Sequence, residues 1–83
     1  MKINVKYFAS IREALGTGAE TLDTATRDVA GLRDELIARG GVYAASLARG
    51  KAVRVAINQT LAEETAPLVE GAEVAFFPPV TGG

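Results

Sequence analysis

Cysteine, histidine and tryptophan are all absent from this chain of 83 residues and 8.6 kDa. Without a thiol or an imidazole there is no disulfide, no side-chain base near neutral pH and no soft or borderline metal ligand. A self-sufficient catalyst is not expected. An excess of positive charge is absent too: nine Lys and Arg stand against ten Asp and Glu, a net charge of −1. That balance lacks the field that binding a phosphate backbone needs, so no nucleic-acid partner is expected. No apolar run approaches the roughly 20 residues of a membrane span, and the N-terminus does not have the pattern of a leader peptide. The reading is a soluble, cytoplasmic chain with no membrane partner. At this length one modest core must hold a single domain without cross-links.

What is present is a clear periodicity. Ile3, Val5 and Tyr7 alternate with Lys2, Asn4, Lys6 and Phe8, which predicts a strand. Ala9 to Leu15 predicts a short helical turn ended by Gly16 and Gly18, and Glu20 to Thr24 an antiparallel strand. Val29, Leu32, Leu36 and Ile37 fall at helical spacing behind Asp28 as N-cap, with Gly40-Gly41 as the stop and Gly31 as a costly interior residue. Val42 to Arg49 predicts a shorter helix, Val53, Val55 and Ile57 a strand, and Asn58-Gln59-Thr60 a turn. Past Pro67 and a turn over Glu70 to Glu73, Val74 to Phe77 predicts a last strand, stopped by Pro78-Pro79. The order strand, strand, helix, strand, strand implies an α+β fold, with one mixed sheet packed on one main helix.

Chemistry concentrates at the end of the chain, Pro78-Pro79-Val80-Thr81-Gly82-Gly83. The diglycine has no side chain for a core, and without Cβ atoms it is thin enough to thread a narrow tunnel in another protein. The prolines fix φ and favour an extended base that projects the tail. A terminal carboxylate is ionised at neutral pH and is a poor electrophile. It needs activation, most simply by attack on ATP to give an acyl adenylate that a sulfur donor or an amine then opens. With no cysteine in the chain, any sulfur it carries as a nucleophile has to sit on Gly83 itself.

The closing octet Phe76-Phe77-Pro78-Pro79-Val80-Thr81-Gly82-Gly83, the turn Asn58-Gln59-Thr60-Leu61, the opening Tyr7-Phe8-Ala9 with Arg12-Glu13, and the entry Glu73-Val74-Ala75 together resemble the small subunit of molybdopterin synthase. The resemblance spans the whole chain and implies a ubiquitin-like β-grasp, with residues 1–79 as the domain and 80–83 as a flexible diglycine tail. It further implies a sulfur carrier with no bound cofactor of its own. Gly83, beside Gly82, would be adenylated at the expense of ATP by an enzyme related to the one that charges ubiquitin, then converted to a thiocarboxylate with sulfur from a donor protein. The tail would enter a pocket of the synthase large subunit and supply the dithiolene sulfurs of molybdopterin from cyclic pyranopterin monophosphate, in a heterotetramer of two small and two large subunits. A carrier for thiamin or tRNA thiolation, or a protein modifier, is the alternative within the same fold.

The resemblance also implies docking through an apolar patch beside the tail. Strand parity sends Phe8 away from the Ile3 face and puts Phe76 and Phe77 on opposite sides. The patch is expected at Phe8, Leu61 and Phe77, with Pro78, Pro79, Val80 and Thr81 making the tail's own partner contacts. Arg33, Asp34, Glu35 and Arg39 read as a solvated helix face, with Glu35 and Arg39 paired at i, i+4. Glu63, Glu64, Glu70 and Glu73, the only charges after residue 54, read as solvated loop carboxylates that steer docking onto a basic surface. No metal site is expected, because Glu63-Glu64 lacks further oxygen ligands at regular spacing.

Overall fold

Alternation in the first segment produces β1 (Lys2–Tyr7), whose Ile3, Val5 and Tyr7 are buried while Lys2 and Asn4 are exposed. The computed structural model describes residues 1–79. After β1 come α1 (Ala9–Leu15), β2 (Ala19–Asp23), α2 (Val29–Ile37), α3 (Gly41–Leu47), β3 (Arg54–Ile57), β4 (Thr60–Ala62) and β5 (Glu73–Phe77). The five strands form one mixed sheet in the order β2-β1-β5-β3-β4, with β5 parallel to β1 and antiparallel to β3.

Local signals explain the element ends. Gly16 closes α1 in the left-handed region at φ 75°, a conformation that glycine adopts without a Cβ clash. Asp28 caps α2 by accepting the Gly31 amide at 2.8 Å. Gly31 sits in a tight place: a Cβ there would lie 3.0 Å from Thr26 Cβ and 3.2 Å from Asp28 Oδ1, so both neighbours would have to give. Asn58 and Gln59 both take positive φ, the two-residue turn whose twist suits a hairpin, and they connect β3 to β4.

The core lies on one side of the sheet. Val29, Leu32 and Leu36 of α2, Ile11 of α1, Leu47 of α3 and Leu68 pack with Ile3, Val5, Tyr7, Val55, Val74 and Phe76. The main helix is α2, and the shorter α1 and α3 each add a buried anchor beside it. The short strand β4 is an addition to the predicted order. It has only three residues, none of them buried, so it carries little periodic signal.

Arg33 departs furthest from its sequence reading. It is 4% exposed, not on the solvated face of α2, and lies among Val29, Leu32 and Leu36 on the buried stripe. Its guanidinium donates to the carbonyls of Leu47 at 2.7 Å, Ala48 at 2.7 Å and Lys51 at 3.2 Å, and to Glu64 Oε2 at 2.6 Å. This is the charge pairing that a buried cation needs. Arg49 bonds the other oxygen of Glu64, and also Asp34 at 2.8 Å and the Ala30 carbonyl at 3.0 Å. Glu64 is thus the counter-ion of a clasp that fixes the turn after α3 to α2, and no longer a solvated loop carboxylate.

Candidate functional site

The end of β5 sets the position of everything near the tail. Because β1 runs parallel to β5, the chain leaves both strands at the same rim, where the Phe8 amide donates to the Phe76 carbonyl at 3.1 Å. Tyr7 lies opposite Phe76, and their rings stack on the core side with centroids 6.4 Å apart. Phe8 and Phe77, one residue on from each, turn to the outer face.

Register extends that face across the sheet. Phe77 is opposite Arg54, Ala75 is opposite both Lys6 and Ala56, and Ala56 is opposite Leu61. Phe8, Phe77, Ala75, Ala56 and Leu61 therefore share the face that bears no helix. Leu61 is 66% exposed and Phe8 45%, large apolar side chains left in water, while Phe77 is half-buried. The structure brings the three expected patch residues onto one surface. It also adds Ala56 and Ala75, small and largely covered residues that lie between Phe77 and Leu61 on the same face. Strict alternation of Ala56 with Val55 and Ile57, and of Ala75 with Val74 and Phe76, was the signal that could have found them.

Pro78 and Pro79 are half-buried at the rim. Pro78 also lines a shallow cavity of about 290 Å³ with Ile11 and Ala14 of α1, Ala45 and Ser46 of α3, and Lys51. The expected flexible tail and the tail contacts of Val80, Thr81, Gly82 and Gly83 lie outside the described residues.

Electrostatics near the site differ from the sequence reading. Glu73 pairs with Lys6 at 3.2 Å on the outer face, and Glu70 accepts the Lys2 amide at 3.1 and 3.2 Å. With Glu64 held by Arg33 and Arg49, three of the four late carboxylates are engaged within the chain. Arg39 pairs with Glu20 at 2.9 Å in place of the expected Glu35. Glu20 also accepts both the Tyr7 and Tyr43 hydroxyls on Oε2, at 2.9 and 2.8 Å. Burial pushes the Glu20 carboxyl up, but hydrogen bonds from Tyr43, Arg39 and Tyr7 outweigh it and hold the group below the usual carboxylate range. Burial and the bond to Glu20 push the Tyr7 hydroxyl far up, so it stays protonated and serves as a fixed donor. Among the described residues no group of three or more His, Cys, Asp or Glu could hold a metal ion. None of these helices is long and apolar enough to cross a membrane. Among the described residues, β5 ends at this rim beside the apolar face, and Lys51 is the one amine lining the cavity there.

A mixed five-stranded sheet in this order, with helices on one face only, defines a ubiquitin-like β-grasp. The model of the ThiS family matches residues 5–83, and the chain belongs to that family. It is 44% identical to the molybdopterin synthase sulfur carrier subunit of Escherichia coli (strain K12) over 81 residues, 98% of this chain and 99% of that protein. It is 42% identical to the subunit of the same name from Haemophilus influenzae, with the same coverage. Among solved structures, it is similar to a chain in the complex of subunits 1 and 2 of the molybdopterin-converting factor from Helicobacter pylori. That likeness has a TM-score of 0.69 at 25% identity and covers 100% of both chains.

Proposed function

We propose that this protein is the sulfur carrier subunit of a molybdopterin synthase, working in the cytoplasm with its C-terminal carboxyl as the sulfur-bearing group. The observation that carries the reading is end-to-end likeness to proteins of that name, with the family match running through residue 83. The geometry supports it, because β5 ends at an apolar rim and leads into Pro78-Pro79 and the closing diglycine that the family match includes.

In this reading Gly83 is adenylated by a ubiquitin-activating-type enzyme. The carboxylate oxygen attacks the α-phosphorus of ATP, pyrophosphate leaves, and a sulfur donor then displaces AMP to leave a thiocarboxylate. The large subunit receives the outer face through Phe8, Phe77 and Leu61, and takes Pro78 to Gly83 into its pocket. Tethering places the sulfur at high effective concentration on its acceptor. The chain binds no cofactor of its own.

Intact-mass spectrometry of the chain purified from its own sulfur-replete cells tests this. The expected species is heavier by the exchange of one oxygen for sulfur. Deleting Gly83, or adding a residue after it, abolishes that species without changing the thermal melt. Finding only free carboxylate, or finding the chain joined to lysines of many proteins, overturns the reading.

A further inference from the structure

One arginine stands on the sheet. Of the six in the chain, Arg33, Arg39 and Arg49 are held by Glu64, Glu20 and Asp34, while Arg12 lies in α1 and Arg27 in the loop before α2. Arg54 opens β3, directly opposite Phe77. It therefore shares the helix-free face, where the row along the rim runs Phe8, Phe77, Arg54. Its side chain is exposed and forms no ion pair with any described residue.

The other charges on this face are placed differently. In the next row Lys6, opposite Ala75, is neutralised by Glu73 at 3.2 Å. Lys2 and Asp23 face each other at the far end of β1 from the rim, where the amino terminus also bonds Asp23. Glu63 follows β4, one step of register beyond the pair of Ala62 with Val55, and it makes no ion pair with Arg54. Although every charge after Arg54 is a carboxylate, the unmatched charge beside Phe8 and Phe77 is a cation.

We propose that Arg54 is a specificity determinant of the docking face, one that requires an Asp or Glu carboxylate on the large-subunit surface that covers Phe77. The inference rests on the carrier reading, which supplies the partner, and adds what that partner must present. An apolar surface that closes over Phe8 and Phe77 takes the neighbouring guanidinium out of bulk water, and a desolvated cation is costly unless it is paired. A carboxylate meets that need with two parallel hydrogen bonds, a geometry that the planar guanidinium favours. A surface with an apolar or basic residue at the same place can cover the patch but leaves the charge unpaired or repelled, so it is rejected. The aromatic patch contributes affinity, and Arg54 decides between partners.

Binding of the purified chain to the large subunit of its own organism, measured by calorimetry and by stopped flow at low and high salt, tests this. Arg54→Met keeps the length of the side chain and removes its charge. With an unchanged melt, it is expected to bind roughly tenfold more weakly or worse, and its on-rate should fall less steeply with salt than the parent's. Arg54→Lys puts an amine at the same position, which a carbodiimide should join to one Asp or Glu of the large subunit, and the cross-linked peptide identifies that residue. Replacing the identified carboxylate with Lys should weaken binding of the parent, and Arg54→Glu should restore it.

Equal affinity and equal salt dependence for Arg54→Met and the parent overturn the inference, as does a complex in which no large-subunit carboxylate is joined at position 54. Either result leaves the carrier reading intact. A parent chain that does not bind the large subunit at all overturns both.

Discussion

Arg33 Nη1 donates to Glu64 Oε2 at 2.6 Å, across 31 positions of sequence, with the guanidinium buried and the carboxylate partly open. Removing the carboxylate leaves a cation in the core without a counter-charge. Glu64→Ala is expected to lower the unfolding free energy by roughly 2 to 4 kcal/mol, toward the range found for broken buried pairs. Replacing both partners with apolar residues, Arg33→Met with Glu64→Leu, should recover much of that loss. Urea titrations of the three chains check this, and equal midpoints for Glu64→Ala and the parent would refute it.

Phe76 and Phe77 are adjacent and differ in role by parity. Phe76→Ala removes a core side chain that is 1% exposed and is expected to cost about 3 to 5 kcal/mol. Phe77→Ala should leave the melt nearly unchanged and weaken binding to the large subunit by roughly 2 kcal/mol or more, as an interface anchor does. Calorimetric titration beside a thermal melt separates the two effects. A large stability loss in Phe77→Ala with intact binding would reverse the assignment.

Gly31 tests whether helix propensity or space decides at the start of α2. Glycine to alanine within a helix ordinarily stabilises by roughly 0.5 to 1 kcal/mol. Here the new Cβ meets Thr26 Cβ at 3.0 Å and the capping oxygen of Asp28 at 3.2 Å, so Gly31→Ala is expected to destabilise. A raised melting temperature would show that Thr26 and the cap yield freely.

Glu20 gives the fold an acid-sensitive hub. Its carboxyl is held below the usual glutamate range in the folded chain, so its stabilisation is complete above the unfolded value of about 4.3. It is lost as pH falls through the lower folded value. Glu20→Gln should therefore be less stable than the parent at neutral pH, with the gap closing below about pH 4. Denaturation midpoints measured across that window check it; a gap that stays constant would mean the carboxyl is not held down.

Much of this was legible along the chain. β1, α2 with its Asp28 cap, and β5 came from strict alternation, helical spacing and flanking glycine or proline, and the Phe76/Phe77 split followed from parity alone. The charged residues were read less well, because a charge on a helix defaults to the solvated face. Yet Val29, Leu32, Arg33 and Leu36 sit at i, i+3, i+4 and i+7, so the spacing that identified the buried stripe already included Arg33. Its partner Glu64 lies in a loop, where no periodicity points inward. β4 escaped because three residues paired along one edge carry no pattern of their own.

The place of β5 in the sheet has a consequence for synthesis. β2 with β1 and β4 with β3 are two separate pairs that meet only through β5, the last element in chain order. A ribosome must release residues 73–77 before either pair has a neighbour, so closure of the sheet waits for the last strand to be made. A chain cut short within or before β5 is therefore expected to leave two strand pairs with nothing between them, so truncated copies should be cleared as unfolded chains and not persist beside the whole one.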